Sequence, residues 1–198
     1  LEMKEESEME ERPRIYYLLY DGYAGFELVF VANNLMSKRA ATVGLGKAPC
    51  RSLENLKTVV DLDITEVDSD DVDLLVIPGG HPLEIINNPS YREKVEALVS
   101  LIRAVNSKGG KLAAICGGPT WLAYAGVLNG RRCTHSLEEP GKLFSTATFT
   151  NEYVTVDGNI ITGQGQAYPE FAVEMGRQMG IYENEEQAIN DIKWLRDR

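Results

Sequence analysis

Cysteine and histidine are scarce in this chain. Among 198 residues there are three cysteines, Cys50, Cys116 and Cys133, and two histidines, His81 and His135. So sparse and odd a set of thiols argues against a disulfide framework and points to a reducing, cytoplasmic location. The cysteines and histidines do not have the spacing of a zinc site, so no metal is expected. No stretch approaches the ~20 apolar residues that a membrane span needs, and the opening residues lack the basic and apolar regions of a secretory signal. Positive charge is also short: 20 Lys and Arg stand against 30 Asp and Glu, a formal net charge of −10. That balance excludes a nucleic-acid backbone or an anionic membrane as the main partner. A G-x-G-x-x-G after the first predicted strand and a Walker-type G-x-x-x-x-G-K-[ST] are both missing, so no nucleotide cofactor is expected.

The length suits one domain with a full-sized core, and 43% hydrophobic against 25% charged residues is a globular composition. Much of the excess acid sits in the opening stretch, Leu1 to Arg12, with six Glu against one Lys and one Arg. Residues 1–13 therefore read as an acidic N-terminal extension, and 14–198 as the domain.

Within the domain, apolar runs alternate with amphipathic segments. RIYYLLY (Arg14 to Tyr20), Ala40 to Leu45, DLLVI (Asp73 to Ile77) and KLAAI (Lys111 to Ile115) read as buried parallel strands. Helices are expected over Ala24 to Met36, Ser90 to Ser107, from Thr120 to Gly126, over Tyr168 to Met179 and over Glu185 to Leu195. A hairpin is expected within 47–67. A second should form where Tyr153 to Val156 and Ile160 to Thr162 flank Asp157-Gly158. The predicted fold class is α/β: a doubly wound, mostly parallel sheet with helices on both faces and sites at the carboxyl ends of the strands.

Three such strand ends carry unusual residues: Gly22 to Glu27, Pro78-Gly79-Gly80, and Ala114 to Pro119. A parallel sheet opens all three on one edge. Cys116 lies between a strand and a helix start, where a sharp elbow turns a side chain outward and the following N–H groups favour a thiolate. Gly117 and Gly118 leave room for a substrate. Cys50 and Cys133 read as inert buried thiols. Glu27, in an apolar helix, is either a surface acid or a buried, protonated carboxyl that hydrogen-bonds the thiolate. The N–H groups of Gly80 and Gly117 could form an oxyanion hole. His135, and more weakly His81, is either a proton-transfer group or a structural imidazole.

These motifs resemble the ThiJ/PfpI superfamily, which includes the parkinsonism-associated deglycase. The elbow AICGGPTWLAYAGVLNGR (114–131) carries the likeness, with DGYAGFELV, VIPGG and VDGNIITGQG in support. The resemblance implies a flavodoxin-like, class I glutamine-amidotransferase-like fold and a homodimer. Cys50, after Ala48-Pro49, is expected near that interface. The resemblance also implies catalytic Cys116 and Glu27, oxyanion donors Gly80 and Gly117, and a Thr134-His135 pair like that of the deglycase-like branch. Protease-like members have His after the nucleophile, where this chain has Gly117, and no His follows His135 to serve as in a true glutamine amidotransferase. Gln164 stands where the deglycase-like branch usually has Arg. Trp121 and Tyr168-Pro169-Glu170 point to a distinct bacterial-type subgroup. The expected activity is attack of a Cys116 thiolate on a small carbonyl-type substrate, with hydrolase, hydratase or glyoxalase outcome. The alternative is a redox sensor in which Cys116 is oxidised without turnover.

Overall fold

The computed structural model describes residues 12–196. The acidic opening, residues 1–11, lies outside the described residues. The chain begins with β1 (Ile15–Leu19), passes through α1 (Gly25–Asn34) to β2 (Ala40–Gly44), and then makes a small excursion. In it, β3 (Cys50–Arg51) and β4 (Lys57–Thr58) pair antiparallel as a hairpin, and β5 (Leu62–Asp63) returns to the main sheet beside β2. Next come β6 (Leu74–Ile77), a short α2 (Pro82–Ile86), α3 (Arg92–Lys108), β7 (Lys111–Ile115) and α4 (Pro119–Tyr124). Two short strands, β8 (Arg132–Cys133) and β9 (Thr148–Phe149), form a separate parallel pair. The chain closes with β10 (Val154–Asp157), β11 (Ile160–Gly163), α5 (Tyr168–Gln178) and α6 (Glu185–Arg196).

The main sheet has seven strands in the order β10-β11-β7-β6-β1-β2-β5. Every pairing in it is parallel except β10 with β11. That exception is the predicted hairpin, with Gly158 at φ 61 supplying the positive dihedral its two-residue loop requires. The central strands are apolar at successive positions because both faces are covered: Leu74 to Ile77 and Leu112 to Ile115 are all 0% exposed. In α3, Val95, Leu98, Leu101, Ile102 and Val105 form the buried stripe that the sequence spacing predicts. Fully burying each such aliphatic side chain is worth roughly 1.5–3 kcal/mol. The helix stops at Gly109, which takes φ 79 and returns its N–H to the last turn.

The predicted elements differ from the structure mainly where they are short. The 47–67 region holds the expected hairpin, but its strands are two residues each, too short to show a period. α2 and β9 have no signal in the sequence. α2 starts on Pro82, with His81 between it and the glycine pair, and β9 exists only because β8 lies beside it. No helix among the described residues is long and apolar enough to cross a membrane.

Candidate active site around Cys116

Cys116 follows the last residue of β7 and adopts φ 61, a left-handed conformation that costs a non-glycine residue roughly 1–2 kcal/mol. Main-chain hydrogen bonds on both sides hold it there. Its N–H donates to Gly163 O over 2.8 Å, and its carbonyl accepts the Ser136 N–H over 3.0 Å. Gly118 N–H closes the turn onto Ile115 O at 2.8 Å. Of the three cysteines, Cys50 and Cys133 are buried, whereas Cys116 is partly exposed.

Glu27 sits in the first turn of α1 and is only 1% exposed. The buried-acid alternative is therefore the one the fold adopts. Its helix begins under the carboxylate of Glu54, from the β3–β4 loop, which accepts the N–H groups of Gly25 at 2.9 Å and Phe26 at 3.2 Å. The other flank of α1 packs on α5, with Phe30 and Tyr168 ring centroids 4.7 Å apart and Asn34 Nδ2 donating to Ala172 O at 2.7 Å. So placed, Glu27 Oε2 accepts the Gly79 N–H at 2.6 Å.

The carbonyl of the same Gly79 residue accepts the Tyr20 hydroxyl at 2.7 Å and the Ala24 N–H at 3.0 Å. Tyr20 is buried, edge-on to Trp121 at 5.8 Å. Residue 79 must be glycine, because a Cβ there would lie 2.7 Å from Cys116 Cβ and 3.0 Å from both Cys116 Sγ and Glu27 Oε2. Gly165 approaches from the other side, where a Cβ would stand 3.0 Å from Sγ and 3.6 Å from Glu27 Oε1. The sulfur and the carboxyl thus share one cleft, walled by two glycine backbones.

Burial dominates the electrostatics of that cleft. It raises the Glu27 carboxyl to about 7, against the hydrogen bonds from Gly79 and Cys116 that favour its ionised form. The Cys116 thiol is pushed up to about 12, first by burial and then by the negative charge of Glu27, while the Gly117 N–H and the Ser136 side chain oppose the rise. With Glu27 ionised, the sulfur keeps its proton. With Glu27 protonated, the repulsion disappears and a donor takes its place.

The structure brings Cys116, Glu27, Gly80 and Gly117 together. A Cβ on Gly117 would be 3.0 Å from Gly80 O, and Gly80 forms a bridge pair with Tyr23. His135 faces elsewhere. Its ring lies between Phe149, stacked at 4.6 Å, and Phe144 at 4.8 Å, in a cavity also lined by Cys133 and Leu137. Its Nδ1 accepts the Leu137 N–H at 3.2 Å, and burial lowers its pKa. The ring is therefore neutral, with its proton on Nε2. His81 is exposed, at the start of α2 beside Gly22. Gln164 is 6% exposed and donates to Asn151 Oδ1 at 3.1 Å. Cys50 is buried in β3 with its thiol 3.8 Å from Ala48 O. Sequence reasoning missed Tyr20, Glu54 and Ser136. Each reaches the site through a contact between distant segments, which no local pattern announces.

Comparison with known proteins shows likeness in sequence and in fold. The family model described as DJ-1/PfpI matches residues 13–178. The dj-1beta protein of Drosophila melanogaster is 28% identical over 181 residues, covering 88% of this chain and 94% of its own. A deglycase of Thermococcus kodakarensis is 28% identical over 154 residues, 76% of this chain and 89% of the relative. The crystal structure of a DJ-1 superfamily protein from Agrobacterium tumefaciens superposes with a TM-score of 0.78 at 25% identity, over 94% of this chain and all (100%) of that one.

Proposed function

Because this chain belongs to the DJ-1/PfpI family, we propose that it is an enzyme whose Cys116 thiolate attacks the carbonyl carbon of a small α-oxoaldehyde-type substrate. The observation that carries the proposal is the pairing of a left-handed, partly exposed Cys116 with a buried carboxyl, Glu27, held near neutrality. A protonated Glu27 donates to the thiolate. As sulfur adds to the carbonyl, the C–S bond forms and the carbonyl electron pair moves to oxygen, giving a thiohemiacetal. The N–H groups of Gly80 and Gly117 receive that oxyanion, and Glu27 supplies the proton. Cys116 does not offer its own N–H, which is bonded to Gly163 O. His135 has its Nδ1 occupied as an acceptor and its ring turned onto Phe144 and Phe149, so the proton transfer falls to Glu27. The deglycase from Thermococcus kodakarensis supports a carbonyl-derived substrate. We place the reaction in a homodimer in the cytoplasm.

Turnover of methylglyoxal by the wild type and its loss in Cys116→Ser would support the proposal. Equal turnover by both would overturn it. A second reading rests on Cys116 being partly exposed while the other two cysteines are buried: peroxide oxidises Cys116 to a sulfenic or sulfinic acid as a stress signal, without turnover. Mass spectrometry after mild peroxide treatment, showing oxygen added at Cys116 in a protein inert to methylglyoxal, would favour that reading.

A further inference from the structure

Ser136 is exposed and lies directly after buried His135, yet two hydrogen bonds tie it to the cysteine elbow. Its N–H donates to Cys116 O at 3.0 Å. Its Oγ accepts the Gly165 N–H at 2.7 Å. Gly165 in turn lies against the sulfur so closely that a Cβ on it would be 3.0 Å from Sγ. A serine hydroxyl carries one proton and two lone pairs. With a lone pair filled by the Gly165 amide, the hydroxyl proton is the group left to donate toward the sulfur.

We propose that Ser136 is a hydrogen-bond donor to the Cys116 thiolate, held in place by the Gly165 amide and acting from the solvent side of the cleft, opposite buried Glu27. The titratable groups that bear on the sulfur are Glu27 from α1 and Tyr20 from the end of β1, while His135 is turned onto Phe144 and Phe149. Neither carboxyl nor phenol occupies the solvent side, so Ser136 supplies a donor there that does not depend on protonation. Its presence also agrees with the side-chain hydrogen bond that counters the rise of the Cys116 pKa. When sulfur adds to a carbonyl, the hydroxyl is free to turn to the new oxyanion. The inference deepens the enzyme reading above, because it assigns another donor at the same sulfur.

The test is the rate of Cys116 alkylation by iodoacetamide against pH, followed by adduct mass, for wild type, Ser136→Ala, Ser136→Thr and Ser136→Val. Thr and Val match in shape, so their difference isolates the hydroxyl. Ser136→Ala and Ser136→Val should raise the apparent midpoint by about half to one unit, slowing alkylation roughly three- to tenfold at pH 7 with the same plateau at high pH. Ser136→Thr should stay within about twofold of wild type, since it retains the same donor. A purely structural role would lower all rates together without moving the midpoint, and that result, or coincident Thr and Val profiles, overturns the inference. The alkylation readout needs no turnover. Loss of the substrate reading through Cys116→Ser therefore stays distinguishable from failure of the Ser136 assignment.

Discussion

The Gly79 N–H and Glu27 Oε2 are hydrogen-bonded at 2.6 Å across 52 positions of sequence. This bond occupies one carboxyl oxygen as an acceptor and leaves the other to carry a proton toward Cys116. Two effects of Glu27 on the sulfur can therefore be separated. Glu27→Gln keeps a neutral donor and removes the charge. It should alkylate faster than wild type above pH 7, where wild-type Glu27 ionises. Glu27→Leu lacks the donor and should react more slowly than Glu27→Gln at pH values below the thiol's pKa, by about tenfold for one charge-assisted hydrogen bond. Coincident profiles for all three proteins would show that Glu27 does not act on the sulfur.

The same carboxyl makes stability depend on pH. Its folded-state pKa, about 7, lies above the ordinary carboxyl value of 4.5, so the folded protein binds the proton more tightly than the unfolded chain. The resulting stabilisation is fully present below about pH 4.5 and is lost as pH rises toward 7. The loss amounts to roughly 3 kcal/mol for one such group. Glu27→Gln should lack this component. Urea unfolding at pH 5 and pH 8 should show a smaller drop for the variant than for wild type. An equal drop would mean that Glu27 is not held protonated by the fold.

Gly80 and Gly109 both have positive φ, 121 and 79, but only one is crowded. A Cβ on Gly80 would stand 2.1 Å from Gly22 O, whereas nothing lies within 4 Å at Gly109. Gly109→Ala should cost only the left-handed penalty, about 1–2 kcal/mol. Gly80→Ala must also push two backbones apart and should cost roughly 3 kcal/mol or more, with loss of turnover. Urea midpoints of the two variants give the comparison.

Tyr20→Phe removes a hydroxyl that donates to Gly79 O at 2.7 Å and leaves a buried carbonyl with fewer partners. We expect a destabilisation of about 1–2 kcal/mol. Turnover should fall as well, because the Gly79-Gly80 segment loses one of its anchors. Unchanged turnover would show that Glu27 and Ala24 hold the segment without Tyr20.

The fold was legible where the physics is local. Runs such as LLVI and LAAI are apolar at every position because a doubly covered parallel strand has no solvent face, and their strand assignments match β6 and β7. The i, i+3, i+4 stripe of α3 and its glycine stop were readable in the same way. Cys116 and the glycine loops around it could be picked out because a strand running straight into Gly-Gly-Pro forces an elbow. Other features depended on tertiary contact. Glu27 could have been a surface acid, and its burial follows from how α1 sits between α5 and the Glu54 loop. His135 follows β8, but its ring turns onto Phe144 and Phe149, residues that β9 and its preceding loop bring up from farther along the chain. Ser136 and Tyr20 are tied to the cleft by hydrogen bonds to residues distant in sequence, among them Gly165 and Gly79. The sequence by itself determined which strand ends carry the chemistry, because periodicity and glycine placement act over a few residues. The tertiary structure decided which side chains face the sulfur and in what protonation state, because burial and hydrogen bonding depend on segments far apart in the chain.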